Sequence, residues 1–197
     1  IRQSEEIAKL LRETNENGVL WANQFDNTAN QMSHYNSTGP EIWEQPNGKV
    51  DAFTCAVGTG GTLSGTGLFL KEKNNNIKIA LSDPFGSGLY NYYQKGEMKS
   101  EGNSITEGIG QGRITKNLEN CPIDLSFRID DNEALTIIFE LLKEERLFLG
   151  GSSGINVAGA IKLAKEFGPG HTKLTILCES GQRLSLIHIS EPTRPYS

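Results

Sequence analysis

The chain has 197 residues, enough to bury a sizeable core in one domain or in one domain and part of another. Its hydrophobic fraction of 36% and charged fraction of 22% are typical of a soluble globular protein, and a net charge of −5 without a basic cluster excludes a nucleic-acid partner. No apolar run approaches the length of a membrane span, so we expect no membrane partner either.

The start of the chain and its cysteines bear on processing and location. The first residues carry no secretory signal, and a start at Ile1 without a Met predicts a truncated chain. Cys55, Cys121 and Cys178 are odd in number and widely spaced, and the first and last lie in apolar strand-like runs. We therefore expect reduced cysteines, with Cys55 and Cys178 buried, and a cytoplasmic location.

In chain order, the first half alternates between helical and strand patterns. Residues 3–14 form an amphipathic helical pattern and residues 19–22 are typical of a strand. A mixed segment follows, with a helix expected from about Pro40 through Trp43. The next elements are a strand at 51–57, a helix at 63–73 and a strand at 78–81.

The second half begins with a long irregular stretch, residues 89–123, which we expect to be functional because such loops are uncommon in compact domains. A short strand at 127–129 precedes a helix capped by Asp130, with Glu133 as its capping-box partner. A glycine- and serine-rich segment at 150–154 opens another helix, and a last strand covers 174–178. This alternation predicts an α/β fold: a doubly wound, mostly parallel sheet with helices on both faces and a ligand crevice at the strand ends.

One loop has the composition of an anion-binding site. It directly follows the strand at 51–57, opens a helix, and consists of Gly58, Thr59, Gly60, Gly61 and Thr62. Backbone N–H groups at such a helix start can bind phosphate. A P-loop is excluded because no Lys follows, and a dinucleotide fingerprint starting at Gly58 would need glycine where Leu63 stands. The alternative is a glycine-rich connection that merely packs a helix on a strand.

Five segments in this order resemble one enzyme family: residues 38–43, 58–62, 107–110, 151–154 and 178–181. Together with the Gln-Phe-Asp-Asn element at 24–27, they resemble the cysteine synthase and cystathionine β-synthase family. Its members are fold-type II pyridoxal-phosphate (PLP) enzymes related to the tryptophan synthase β subunit. The resemblance extends from about residue 4 to Arg183.

The resemblance implies roles for particular residues. The PLP phosphate would be held by Gly58, Thr59, Gly60, Gly61 and Thr62, and Ser180 would hydrogen-bond the pyridine nitrogen. The substrate carboxylate would bind Gln24, Phe25 would line the pocket, and Gly108 would approach the substrate amine or the cofactor face. The alternatives are a turn serine at 180, a turn residue at 24 and a plain loop glycine at 108.

Other polar residues receive no catalytic role. Ser152 and Ser153 are interpreted as helix caps. None of His34, His171 and His188 matches a catalytic position of the family, so we expect all three on the surface or in loops.

The resemblance also implies that a catalytic part lies upstream. The family's cofactor-linked lysine precedes the region matched here, and Lys49, Lys71 and Lys73 do not share its context. We therefore expect no catalytic residue in this chain, and no activity from it alone. The implied division is residues 1–27 as the end of a small N-terminal domain and crossover, 28–183 as the large PLP-phosphate-binding domain, and 184–197 as a non-native tail resembling translated adapter sequence. A genuine, divergent terminus is the alternative for that tail.

For the intact protein, the resemblance implies an enzyme that converts O-acetylserine and sulfide to cysteine and acetate by β-replacement. The first alternative is the cystathionine β-synthase reaction, with homocysteine as nucleophile. The second is a non-catalytic relative that binds a phosphate ligand or serine acetyltransferase. The implied partners are a small-molecule amino-acid substrate and a second copy of the chain in a homodimer. Serine acetyltransferase is a further partner that the resemblance suggests.

Overall fold

The computed structural model describes residues 2–182, whose centre is a parallel four-stranded sheet. The expected tail at 184–197 and His188 lie outside the described residues. The strands are β1 (Ala52–Cys55), β2 (Lys78–Pro84), β3 (Leu125–Ile129) and β4 (Lys173–Thr175). Their order in the sheet is β3-β2-β1-β4. All three neighbouring pairs are parallel, with Ala52 opposite Lys78 on one side of β1 and Lys173 on the other.

Seven α-helices surround or precede the sheet in the described part of the chain. They are α1 (Arg2–Thr14), α2 (Ala29–Asn36), α3 (Thr38–Glu44), α4 (Gly61–Lys73), α5 (Leu89–Lys95), α6 (Asp131–Glu140) and α7 (Gly151–Phe167). A π-helical turn, Leu141–Glu145, continues α6. None of the helices in residues 2–182 is long and apolar enough to cross a membrane.

Helices cover both faces of the sheet. On one face, the fully buried Phe53 and Ile79 pack in a cluster with Leu63 and Leu70 of α4. On the other face, Ala52 and Ala80 pack against Leu163 of α7, and all three are fully buried. The expectation of a doubly wound α/β sheet is therefore confirmed.

The approach of α7 to the sheet depends on a glycine. A Cβ at Gly159 would collide with the hydroxyl of Ser82 on β2. That hydroxyl lies 2.8 Å from Oγ1 of Thr54 on β1, and both side chains are fully buried. The sheet surface under the middle of α7 is therefore polar and hydrogen-bonded, which requires close and specific packing.

Several local expectations were wrong. Residues 19–22 are not a strand, and Leu20 is 94% exposed. Helix α2 and helix α5 lie in segments that we expected to be mixed or irregular. The last strand, β4, ends at Thr175 rather than at 178, and Cys178 is exposed rather than buried.

The start of α6 agrees with its sequence pattern in one of two details. The Asp130 carboxylate accepts a hydrogen bond from the backbone N–H of Asn132, so Asp130 is the N-cap. The Glu133 carboxylate forms an ion pair with Lys162 of α7 at 3.0 Å. Glu133 thus links the two helices that pack together on this side of the sheet.

Candidate functional site

The glycine-rich loop lies where β1 ends and α4 begins. Gly60 precedes the helix with φ +93°, a left-handed conformation that favours glycine. No side chain caps this helix start, and the first intrahelical bond runs from Ser64 N–H to Gly60 C=O. The N–H groups of Gly61, Thr62 and Leu63 therefore have no acceptor within the helix. That of Gly61 makes a long contact with Thr59 Oγ1 at 3.4 Å, and those of Thr62 and Leu63 are available to an anion.

A second loop packs directly onto the first. A Cβ at Gly58 would collide with the carbonyl oxygen of Gly108, so only glycine fits at position 58. Two residues after Gly108, the N–H of Gly110 donates to the carbonyl of Val57 at 2.8 Å. The structure thus brings Gly108, one of the expected substrate-binding residues, against the expected phosphate-binding loop.

The hydroxyl and carbonyl of Thr59 are both held by side chains. Nδ2 of Asn30, on α2, donates to Thr59 Oγ1 at 2.7 Å. The hydroxyl of Thr115 donates to the Thr59 carbonyl at 2.6 Å. Position 61 also has no room for a side chain, because a Cβ there would meet the amide of Asn30. Helix α2 therefore forms one wall of the glycine loop.

The expectation for His34 was wrong. This histidine lies on α2 and is half-buried, with Nε2 at 3.1 Å from Thr62 Oγ1 and Nδ1 at 2.8 Å from Thr38 Oγ1. Burial lowers the pKa of His34, so the neutral ring is favoured. A neutral imidazole has one donor and one acceptor nitrogen, so its tautomer determines the direction of the Thr62 hydroxyl. His171, by contrast, precedes β4 in a loop, as expected.

The segment with Gln24 and Phe25 is anchored to the same region. Nδ2 of Asn117 donates to the backbone carbonyls of both residues, at 3.0 and 2.8 Å. Its Oδ1 accepts the N–H of Gln31 on α2, and the Gln31 side chain donates to Ser64 of α4. The Gln24 side chain remains exposed beside Phe25, where it can receive a ligand.

Ser180 lies beside the start of α7. It forms an isolated antiparallel bridge with Leu149, and Gly150 N–H donates to the Glu179 carbonyl. The Glu179 carboxylate accepts the backbone N–H of Ser152 at 3.1 Å, where a negative charge stabilises a helix start. Ser180 is exposed, so its hydroxyl is accessible.

The expected capping role of Ser152 and Ser153 was wrong. Both lie inside the first turn of α7, whose N-cap is Gly150, and both are buried. Oγ of Ser153 accepts the N–H of Cys178 at 2.9 Å. This serine therefore fastens the segment leading to Ser180.

A single side chain links that segment to the glycine loop. Oδ1 of Asn156, on α7, accepts the N–H of Ala56 at 2.6 Å, and its Nδ2 donates to Ile176 O at 2.7 Å. Ala56 and Cys178 lie two residues before Gly58 and Ser180, respectively. The expected phosphate-binding and ring-binding residues therefore lie on the same edge of the sheet.

Comparison with known proteins identifies the family. A family model described as "Pyridoxal-phosphate dependent enzyme" matches residues 1–179. The chain belongs to the pyridoxal-phosphate-dependent enzyme family. Cysteine synthase 1 from Neurospora crassa is 48% identical over 170 residues, which cover 84% of this chain and 45% of that protein. A cystathionine beta-synthase from Apis mellifera is 37% identical over 178 residues, covering 90% of this chain and 34% of that protein.

Solved structures support the same relationship. An O-acetylserine-dependent cystathionine beta-synthase from Helicobacter pylori matches with a TM-score of 0.80 and 30% identity, over 91% of this chain and 56% of that one. A hydrogen-sulfide-producing enzyme from Fusobacterium nucleatum matches with a TM-score of 0.78 and 31% identity, over 91% and 58%. This PLP-family chain therefore spans about half the length of the relatives it matches.

The residues present fit the phosphate of PLP. The loop offers helix N–H groups that have no acceptor within the helix and two threonine hydroxyls, and the glycines at 58, 60 and 61 let it pack closely against Gly108, Leu118 and Asn30. Such a donor set stabilises a dianion without requiring a lysine or arginine. The exposed Ser180 hydroxyl can donate to a pyridine nitrogen.

Sequence reasoning missed the supporting residues of the site. Asn30 and His34 are four residues apart, a spacing that aligns their side chains on one face of α2, and Thr38 follows at the same spacing at the start of α3. This polar periodicity was the available signal. Asn117 and Asn156 carried no such signal, because each bonds to residues far away in the chain: Gln31 is 86 residues from Asn117, and Ala56 is 100 residues from Asn156.

Proposed function

We propose that the intact protein is a cysteine synthase that replaces the acetate of O-acetylserine with sulfide. The observation that carries this proposal is the meeting of the Gly58, Gly108 and Ser180 segments at one sheet edge, through contacts with Gly108 O and Asn156. The 48% identity to a protein named cysteine synthase 1 supports the choice of substrates.

In this proposal, the loop at 58–62 binds the cofactor phosphate through backbone N–H groups and the hydroxyls of Thr59 and Thr62. Ser180 donates to the ring nitrogen and holds the ring in register with the phosphate. When bound, PLP withdraws electrons from the substrate α-carbon and so allows a β-substituent to leave. Ser180 offers a neutral partner to the ring nitrogen, and we infer that this favours β-replacement over transamination.

The substrate would be held by groups around the cofactor. Gln24 would donate to the α-carboxylate, and Phe25 would shield the reacting atoms from water. Gly108 would approach the substrate amine or the face of the cofactor, and its position is supported by its contact with Gly58 and by the Gly110 N–H bond to Val57 O. The anchoring of Gln24 and Phe25 by Asn117 supports this role, because a fixed backbone limits the entropy lost on binding.

We further propose that this chain alone does not catalyse the reaction. Lys71 is engaged in an ion pair with Asp124 at 2.9 Å, and Lys73 lies over the ring of Phe69. Both are therefore poor candidates for a cofactor-linked amine. The chain's division at residues 27 and 28 into a small-domain remnant and a large domain, and the homodimeric state of the intact protein, remain parts of the proposal.

Cofactor binding is tested directly on the 197-residue chain. We expect titration with PLP to give saturable binding, with a change in the cofactor's absorption and fluorescence. Pyridoxal, which lacks the phosphate, should bind far more weakly. Equal affinity for pyridoxal and PLP would contradict the role of residues 58–62, whatever the activity of the intact enzyme.

The substrate is tested on the complete reading frame. With O-acetylserine, we expect rapid product formation with sulfide and slow formation with homocysteine. The opposite preference would favour the cystathionine β-synthase alternative, which the 37% identical relative from Apis mellifera supports. Absence of both products, together with retained PLP binding or binding of serine acetyltransferase, would favour the non-catalytic alternative.

The location of the intact protein is also a proposal. Cys55, Cys121 and Cys178 are free cysteines, and an exposed thiol such as that of Cys178 stays reduced in a reducing compartment. We infer a cytoplasmic location, which fractionation of the native cells would test.

A further inference from the structure

The side of α7 that faces the sheet changes in character along the helix. Near its start it presents Ser152, Ser153 and Asn156, all buried, and further along it presents Gly159 and Leu163. The polar part of this face lies at the same edge of the sheet as the glycine loop. Among these residues, Asn156 is fully buried and contacts both neighbouring strand extensions.

The Asn156 amide sits where the backbone ladder between β1 and β4 stops. The two strands pair from Ala52 and Lys173 to Thr54 and Thr175. Immediately beyond, Asn156 Oδ1 accepts from Ala56 N, and its Nδ2 donates to Ile176 O and to Sγ of Cys178 at 3.0 Å. A side-chain amide has the same donor and acceptor groups as a peptide, so it replaces the missing backbone pairing.

The hydrogen bonds of Asn156 fix the distance between the segment leading to Gly58 and the segment leading to Ser180. This distance matters for PLP, which would contact both segments. Two residues beyond Ala56 is Gly58, and two residues beyond Cys178 is Ser180. PLP carries its phosphate on a side arm of the ring, away from the ring nitrogen, so both contacts form at full strength only when these two segments are correctly spaced. Inorganic phosphate needs the glycine loop alone and is insensitive to the spacing.

We infer that Asn156 is a positioning residue that sets the separation between the phosphate-binding loop and Ser180. This inference rests on the proposed binding of PLP. Removing the amide leaves the Ala56 N–H and the Ile176 carbonyl without their partner, and the two segments are then free to move apart. The affinity for PLP should fall, and the affinity for phosphate should not.

The test compares two ligands on the 197-residue chain and on Asn156→Ala. Titration calorimetry or fluorescence gives the dissociation constants of PLP and of inorganic phosphate. We expect the Asn156→Ala chain to bind PLP about 10-fold or more weakly, as the loss of one buried hydrogen-bond network implies, with phosphate affinity within about 2-fold of wild type. The PLP absorption spectrum should shift as the contact with Ser180 is lost.

Two further variants separate positioning from general destabilisation. Asn91→Ala removes another buried asparagine, whose Nδ2 donates to Lys99 O at 2.6 Å, and should leave both affinities unchanged. Asn156→Leu keeps a side chain of similar size but has neither the acceptor for Ala56 N–H nor the donor for Ile176 O. If Asn156→Ala does not fold, the same selective loss of PLP affinity is expected in Asn156→Leu.

The outcomes are distinct. An equal loss of both affinities in the Asn156 variants, or no loss of either, would overturn the positioning role. If the wild-type chain binds PLP no better than phosphate, the proposed function itself fails, and the inference fails with it. Selective loss of PLP affinity with an unchanged phosphate affinity is the result that supports it.

Discussion

The side-chain amide of Asn30 donates a hydrogen bond to the hydroxyl oxygen of Thr59 at 2.7 Å. The N–H of Gly61 approaches the same oxygen at 3.4 Å. Because a hydroxyl has one proton of its own, these contacts leave the Thr59 O–H to point away from both donors. Asn30 thus turns Thr59 into a donor for whatever occupies the glycine loop.

Replacing Asn30 should therefore weaken anion binding. In Asn30→Ala, the Thr59 hydroxyl loses its orienting partner, and we expect the affinity for PLP to fall about 3- to 10-fold, equivalent to about 0.5–1.5 kcal/mol. Asn30→Asp should have a larger effect, because a carboxylate beside the loop repels phosphate. Fluorescence titration measures both. Asn36→Ala, an exposed position of the same helix, is the control, and an affinity loss as large as that of Asn30→Ala would contradict the specific role.

His34 should make the stability of the chain dependent on pH. Burial lowers its pKa below the ordinary 6.5, so near this pH the unfolded state binds more protons than the folded state. The contribution of neutral His34 to the free energy of unfolding is complete above pH 6.5. It is lost as the pH falls through the lowered pKa of the folded state. Urea unfolding at pH 7.5 and at lower pH measures it. His34→Gln, which keeps a hydrogen-bonding side chain without titrating, should show a smaller loss on acidification; an unchanged loss would exclude His34 as its source.

The parts of the fold that were predictable are those set by local pattern. The strand–glycine loop–helix unit of β1 and α4 and the capped start of α6 follow from neighbouring residues in the chain. The strand expected at 19–22 was predicted from apolar residues alone and is absent, because an apolar run forms a strand only if another strand pairs with it. Leu20 is instead almost fully exposed in the described structure.

Helix α2 shows why hydrophobic periodicity failed elsewhere. Its buried residue is polar: Gln31 is 8% exposed and bonds to Ser64. The facing position on α4 is Gly65, where a Cβ would collide with the Gln31 carbonyl. Two helices that pack through a glycine and a hydrogen bond leave no apolar stripe in the sequence. The same holds for Asn156, whose importance depends on partners brought together only by the tertiary fold.

The contact between Gly58 and Gly108 predicts a steric requirement for glycine at position 58. In Gly58→Ala, the added Cβ would meet the Gly108 carbonyl oxygen, so the two loops must separate. We expect a loss of stability of about 1–3 kcal/mol and a loss of PLP binding. Chemical denaturation and PLP titration measure the two effects. Gly112→Ala is the matched control, because nothing lies within 4 Å of a Cβ there. Similar behaviour of the two variants would show that the loops do not pack as described.

Asp83 should make an opposite contribution to the pH dependence of stability. It lies fully buried near the end of β2, and burial raises its pKa from 3.8 to about 6, although the N–H of Tyr90 and the nearby charge of Arg128 lower it. Between these two pH values the folded state binds the additional proton, so the unfolding free energy falls as the pH rises. The total fall attributable to this group is about 3 kcal/mol.

Asp83→Asn isolates that contribution, because the amide oxygen still accepts the Tyr90 N–H but the group no longer titrates. In this variant, the fall in unfolding free energy that Asp83 causes between pH 3.8 and about 6 should be absent. The difference in unfolding free energy between variant and wild type should therefore change across this pH range. Urea unfolding at several pH values measures the difference, which cancels the opposing effect of His34. Glu119→Gln, at an exposed position, should keep the wild-type decline. If Asp83→Asn keeps it as well, the buried carboxyl is not the group that titrates, and the decline must come from another carboxylate.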